Sequence, residues 1–408
     1  MLTILLPFLI PAGLVIVFKI MNRKPKPSIF GIYKQQDTFY WLKFIVMYTF
    51  LKTRQLITYL KRLYAVEVGK SSDGVTHIHK DDEVLERKYY LETSTSIDAV
   101  YFNGMSKDND ALVCGVARRK DNICEAFLYL KINGEDLLLM PSMPDTRLEQ
   151  SLTEAGEYHV QGIKITNFIP MRTWQLCYNG EMKPRGKQDQ RVKVEMALTW
   201  SAWWPPFNYD SMMAPESMAS DMAREHWSKD YFKLLKKFHQ THYEQMGFLR
   251  GTVKIDGKEY DLNMPAVRDH TFGSFRDWHT FHRYVLHFIF LDNGDCMAIG
   301  SVSQPAILSH LTIGYLCRHA DQTVLPVKWC DYRLYHHGEN KIMPKDYGFV
   351  FKAGNQEYAV KVNVEDEDAN YFGNGRIAKI YERWSSVEVN GVKGRACVEC
   401  QFNNVQKD

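Results

Sequence analysis

The densest run of residues able to do chemistry is PAVRDHTFGSFRDWHTFHRY, from Pro265 to Tyr284. It carries two Arg-Asp pairs, Arg268-Asp269 and Arg276-Asp277, with His270, His279 and His282 close by and Gly273 in the turn between the pairs. Neighbours in an extended segment point to opposite faces, so an adjacent Arg and Asp cannot neutralise each other. The exchange expected across Gly273 is Arg268 with Asp277, or Asp269 with Arg276. Buried, such a network would lock the elements around it, because removing one partner strands a charge at about 3–5 kcal/mol. The chemical reading of the same residues places Asp269 or Asp277 at the mouth of an apolar cavity. Desolvation there raises its pKa, and it acts as a general acid oriented by His270. Arg268 and Arg276 would recognise a ligand headgroup, with Trp278, His282, Tyr243 and Glu244 as further candidate ligand contacts.

A second cluster, HQTHYEQMG, spans His239 to Gly247. Read as the end of a helix, it supplies dipole compensation and a glycine stop. His239, His242 and Glu244 do not make a metal site on that reading, since positions i and i+5 do not share a helical face. Cys397 and Cys400 form a lone CxxC, and on a strand their side chains point apart. Nucleophile-elbow, HExxH, P-loop and GxGxxG patterns are missing from the sequence, so no metal and no cofactor is expected.

The elements that position these residues read as mainly β. From Ile97 to about Trp200 the pattern has period two, with Val192, Val194, Met196, Leu198 and Trp200 on one face. Hairpin turns are expected at Asn133-Gly134, Asp256-Gly257, Asn293-Gly294 and Asn390-Gly391. From Ser217 to Gln245 the spacing turns helical and predicts a bridge of one helix or two between two β halves. Two sets of antiparallel strands in tandem suggest two barrels or strongly curled sheets, each able to hold an apolar ligand in its interior.

The chain has 408 residues, a net charge of +3, 45% hydrophobic and 24% charged residues. That excludes a disordered chain and a polytopic transporter, and the near balance of charge argues against nucleic acid. Residues Leu2 to Ile20 form an apolar run of bilayer-spanning length, with Lys19 at its end and Arg23, Lys24 and Lys26 after it. An uncleaved single-pass anchor is expected, with the bulk of the chain cytosolic by the positive-inside rule. The eight scattered cysteines suit a reducing compartment. Phe39 to Leu51 fits either an interfacial helix or one packed on the body, and the polar stretch from Gly69 to Asp82 reads as a linker. The expected organisation is an anchor (1–22), juxtamembrane helices and linker (23–84), a first β domain (85–212), a helical bridge (213–247) and a second β domain (248–408).

RDHTFGSFRDW resembles the Arg-Asp-His…Gly-x-Arg-Asp-Trp box of the tandem lipocalin-like (calycin) proteins. These include bacterial carotenoid hydratases, AttH-like proteins, fungal Diels-Alderase-type cyclases and yeast survival-factor proteins. VYFNG, TWQLCYNGEM, HRYVLH and VNGVKGRACVE are similar to an animal branch often mislabelled phosphoenolpyruvate synthase. The chain departs from the box in having two residues, Ser274-Phe275, between Gly273 and Arg276. The resemblance implies two tandem lipocalin-like barrels with a ligand site in one barrel or at their junction. Taken with the anchor expected at 1–22, it points to membrane-anchored binding or transfer of an isoprenoid, sterol or sphingolipid, or alternatively to a hydratase, isomerase or cyclase using an Asp acid. The partners expected are a hydrophobic small molecule or lipid and a membrane, that of the endoplasmic reticulum.

Overall fold

The computed structural model describes residues 26–68, 83–132, 134–149, 158–187 and 189–405. The anchor read at 1–22, the linker at 69–82 and Asn133 of the first hairpin turn lie outside the described residues. Among the described residues, no helix is long and apolar enough to cross a membrane.

One helix, α1 (Tyr40–Val68), comes first. Strands β1 (Ile97–Met105), β2 (Ala111–Arg118), β3 (Ile123–Lys131), β4 (Leu138–Leu139), β5 (Arg147–Glu149), β6 (Tyr158–Val160), β7 (Ile163–Ile169), β8 (Thr173–Pro184), β9 (Val192–Ala202) and β10 (Phe207–Asn208) follow. Three short helices, α2 (Tyr209–Met212), α3 (Pro215–Met222) and α4 (Lys229–Lys237), lead into β11 (Thr241–Ile255) and β12 (Lys258–Gly273). These strands make one 12-stranded antiparallel sheet, ordered β10-β11-β12-β1-β2-β3-β4-β8-β7-β6, with β5 on β3 and β9 joining β11 to β8. Because β9 makes that link, the pairings return on themselves and the sheet curls around an interior.

The second unit is a closed antiparallel barrel of β13 (Arg283–Leu291), β14 (Cys296–Gln304), β15 (Leu308–Arg318), β16 (Thr323–Cys330), β17 (Asp346–Ala353), β18 (Gln356–Phe372), β19 (Ala378–Val389) and β20 (Val392–Asn403). Each strand pairs with the next and β20 closes on β13, the up-and-down arrangement also found in lipocalins.

The period-two reading of β9 holds, with Val192, Val194, Met196, Leu198 and Trp200 all buried. Strands β1, β2 and β3 are buried on both faces, because one faces the curl and the other the barrel. The turns at Asp256-Gly257 and Asn390-Gly391 have φ of 49° and 86°, and 47° and 85°, the left-handed pair that matches the twist of the flanking strands.

Three expectations are corrected. The helical stretch read from Ser217 to Gln245 takes its two-piece form but ends early, at Lys237, and HQTHYEQMG passes into strand β11. Pairing with β12 takes over there, with Gln245 facing inward to the carbonyls of Met171 and Trp204. The boundary read at 247/248 consequently falls inside a strand, and β11 and β12 complete the first sheet. Finally, the interiors expected to hold ligand are filled. Val285, Met297, Leu316, Phe349, Val362 and Val398, from six barrel strands, form one buried cluster, while Phe102, Trp174 and Trp200 pack inside the first unit.

Candidate functional site

Strand alternation divides the Arg-Asp box between two environments. On β12, Arg268 and His270 point into the first unit. The guanidinium of Arg268 lies 5.2 Å from the rings of Trp174, Trp200 and Tyr243, 2.8 Å from Glu86 Oε1, and donates to Gln245 Oε1 at 2.8 Å. His270 meets the Tyr243 hydroxyl at Nδ1 (2.8 Å) and Asp98 Oδ1 at Nε2 (2.7 Å). Asp98 also accepts from Tyr158 at 2.8 Å and Arg118 at 2.6 Å. Burial opposes its ionisation, yet these donors, His270 foremost, hold its carboxyl below the usual carboxylate range. The network ties β12 to β1, β2, β6 and β11.

Asp269 and Thr271 point the other way, towards the barrel, into a cavity of about 220 Å³ between the two units. Its apolar wall includes Ile97, Ala99 and Phe127 from the sheet and Trp278, Leu286 and Ile380 from the crossing segment and barrel. Arg276 also lines it, donating from Nε to Gln240 Oε1 at 2.8 Å, with Trp278 and Phe281 rings beside the guanidinium. Burial, together with the nearby Arg119 charge, lowers its pKa.

Two carboxyls of the barrel face Asp269 from the opposite wall. Glu382 on β19 and Glu399 on β20 are directly opposed partners in the ladder, and both line the cavity. Like charges opposite one another are unfavourable, and burial removes the water that would screen them. Burial is the main reason both pKa values rise, and the Glu399 charge adds to the rise at Glu382. Glu399 reaches about 7, with the Asp269 charge adding and a hydrogen bond from Tyr284 opposing. Glu382 Oε2 accepts from Cys397 Sγ at 3.5 Å.

On the sheet side, Glu244 is the ladder partner of Asp269 and lies fully buried behind it. His242 links the two, with Nε2 3.1 Å from Glu244 Oε1 and Nδ1 3.9 Å from Asp269 Oδ2. Burial works against the imidazolium, but the carboxylates of Asp269 and Glu244 outweigh it and the His242 pKa is raised. Burial and Glu244 raise the pKa of Asp269, against His242 and Arg276. The cavity therefore holds protonatable carboxyls on one wall and a His-carboxylate pair on the other.

A carboxyl whose folded-state pKa exceeds its unfolded value binds more protons folded, so stability falls as pH rises from the unfolded pKa through the folded one. For Glu399 that window runs from about 4.3 to about 7. The unfolding free energy of the wild-type chain, less that of Glu399→Gln, is expected to drop by a few kcal/mol across this window in urea titrations. A flat difference would show that Glu399 is not held protonated.

Of the residues read from sequence, Asp269, Arg276 and Trp278 meet at the cavity. Asp277 does not: it caps the turn Trp278–Thr280 by accepting from His279 N at 2.9 Å, in an exposed pair with His279. The acid role expected of Asp277 is corrected on that ground. His270 and Arg268 belong to the interior network, so His270 does not orient Asp269; Thr271, donating to Asp269 Oδ1 at 3.3 Å and itself 2.6 Å from His242 Nδ1, is placed to do that. Tyr243 joins the same network, and His282 pairs with Glu339 at 3.0 Å away from the cavity. Neither crossed pair forms: Arg268 takes Glu86, and among the described residues Arg276 has no ion pair within 4.0 Å. Sequence reading passed over Glu382, Glu399 and Tyr284. The available signal was a glutamate set among apolar neighbours in IYERW and CVECQ. Among the described residues, no three His, Cys, Asp or Glu side chains are grouped to hold a metal.

Similar solved structures include an AttH protein of Nitrosomonas europaea, 11% identical over 81% of this chain and 97% of that one, with a TM-score of 0.47. Kievitone hydratase from Nectria haematococca is 11% identical over 82% and 95%, with a TM-score of 0.48. CghA is 9% identical over 82% and 96%, with a TM-score of 0.48. No curated protein gives a significant match. A family of unknown function, DUF8627, matches residues 7–400, and the chain belongs to that family.

Proposed function

We propose that the junction cavity takes up a compact, largely apolar small molecule and that the carboxyls around it perform proton-transfer chemistry on it. The observation that carries this is the directly opposed Glu382–Glu399 pair, raised in pKa and facing an apolar chamber with Asp269 and His242 across it. Binding alone would need few polar groups, since each buried CH₂ contributes about 0.8 kcal/mol. Perturbed titratable groups gathered in a cleft instead favour catalysis. The size agrees: at about 220 Å³ the chamber lies below the usual ligand range of roughly 300–1,000 Å³ and suits a small molecule or one end of a longer one.

The reaction class is hydration, isomerisation or cyclisation. In hydration, Glu399 gives its proton to an alkene carbon and water forms the new C–O bond at the neighbouring carbon. The Asp269–His242 pair takes the proton the water loses, and proton exchange with solvent restores both groups. Arg276 places positive charge beside Asp269 and favours its ionised form, the one that can act as a base. The likeness to carotenoid-hydratase and survival-factor proteins, and the isoprenoid, sterol or sphingolipid identity of the ligand, belong to this proposal.

The test is to purify the chain in mild detergent, identify the apolar molecules it retains, and incubate it with an apolar cell extract in deuterated, oxygen-18-enriched water. An enzyme yields a species carrying deuterium, with or without the heavy oxygen. A retained molecule that never acquires label would make the protein a carrier. Ala99→Leu fills the chamber from the sheet side. It is expected to keep a cooperative thermal transition while retaining at least tenfold less of the apolar molecule, as measured by native mass spectrometry.

A further inference from the structure

Helix α1 buries one face and leaves the other bare. Tyr40, Lys43 and Met47 are buried. The Tyr40 hydroxyl lies 3.0 Å from Ser220 Oγ, Lys43 Nζ donates to the Glu225 carbonyl at 2.8 Å, and Gln55 Nε2 donates to the Met213 carbonyl at 2.9 Å. Met47 packs with Ala219, Met222 and Leu308. On the other side Trp41, Leu42, Ile45, Val46, Phe50 and Leu56 are 66%, 61%, 58%, 52%, 60% and 57% exposed. At about 100° per residue these six positions fall within one half of the helix circumference. A protein surface seldom leaves so continuous an apolar stripe in water unless something covers it.

We infer that this stripe lies in the interface of a phospholipid bilayer containing anionic lipid. Apart from Lys43, which is buried and paired with Asp37, the helix carries Lys52, Arg54, Lys61 and Arg62 and a single acidic residue, Glu67. Two copies placed face to face would set like charges against each other, whereas an anionic headgroup layer receives them. Lys52 and Arg54 are exposed, and Trp41 and Phe50 are residues that favour the headgroup boundary. The sequence places the apolar run from Leu2 to Ile20 upstream of this helix, so a chain held there would bring α1 to the same membrane. The inference does not depend on what the junction cavity does.

Bromine on lipid acyl chains quenches nearby indoles, and Trp41 sits in the stripe. The full chain is reconstituted in vesicles of brominated phosphatidylcholine and phosphatidylserine, beside Trp41→Phe and Ile45→Glu/Phe50→Glu. The wild-type emission is expected to be quenched, and Trp41→Phe to lose most of that quenching. Because Ile45 and Phe50 point away from the body, the double variant should keep its circular dichroism and melting transition while Trp41 escapes the quencher. Equal fractional quenching in wild type and Trp41→Phe would overturn the inference. A dimer split by the double variant, without quenching of Trp41, would overturn it too, assigning the stripe to a second copy.

Discussion

Glu399→Gln will lower label incorporation by about 10²–10⁴-fold, the range general-acid catalysis supplies. The amide oxygen still accepts from Tyr284, so the β19–β20 ladder and the cavity shape persist, while the donated proton is gone. The wild-type rate should fall as pH rises through about 7, because the acid form does the work and Glu399 loses its proton there. Glu382→Gln is expected to behave differently. It replaces a carboxyl that is still uncharged while Glu399 titrates, since burial and the Asp269 charge are what raise Glu399, so the descending limb stays near pH 7 and most of the rate is kept. Equal rates for Glu399→Gln and wild type, with bound molecule retained, would remove Glu399 from the chemistry. Loss of the bound molecule in Glu399→Gln would instead make the carboxyl a binding group.

Arg268→Met is expected to destabilise the chain by about 3–5 kcal/mol in urea unfolding. Met approximates the stem of the side chain, so packing against Trp174 and Trp200 is largely kept, but Glu86 is left with its charge 2% exposed and its cation removed. Gln245 loses a donor at the same time. Against a total stability on the order of 5–15 kcal/mol this is a large fraction. The double variant Arg268→Met/Glu86→Gln should recover much of the loss, because the stranded charge is what makes the single change severe. If the two changes are additive, the ion pair is not what holds this part of the sheet.

These two arginine-aspartate motifs show how far local sequence reaches. Alternation along RDH correctly implied that Arg268 and Asp269 face apart, yet it could not tell which face was interior. That depends on Glu86, far away in sequence, arriving at Arg268. The His242–Glu244 pair was read onto a helix because α4 precedes it with strong helical spacing, and the short run of alternation that starts β11 was too brief to outweigh it. The register at the cavity was within reach. Counting outward from Asp256-Gly257 places Glu244 opposite Asp269, and from Asn390-Gly391 places Glu382 opposite Glu399. Each acid pair is therefore set by a two-residue turn visible in the sequence. What no count along the chain supplies is that the two hairpins dock with these pairs facing each other, since that follows from how the curled sheet meets the outside of the barrel.

The docking also decides what kind of acid Glu399 is. On a barrel standing by itself, its outer wall would be wet and Glu399 would ionise as an ordinary surface glutamate. The seam with the curled sheet dries that wall. The proton is thus a possession of the assembled molecule and of neither half, and it arrives only once folding has brought the two surfaces together.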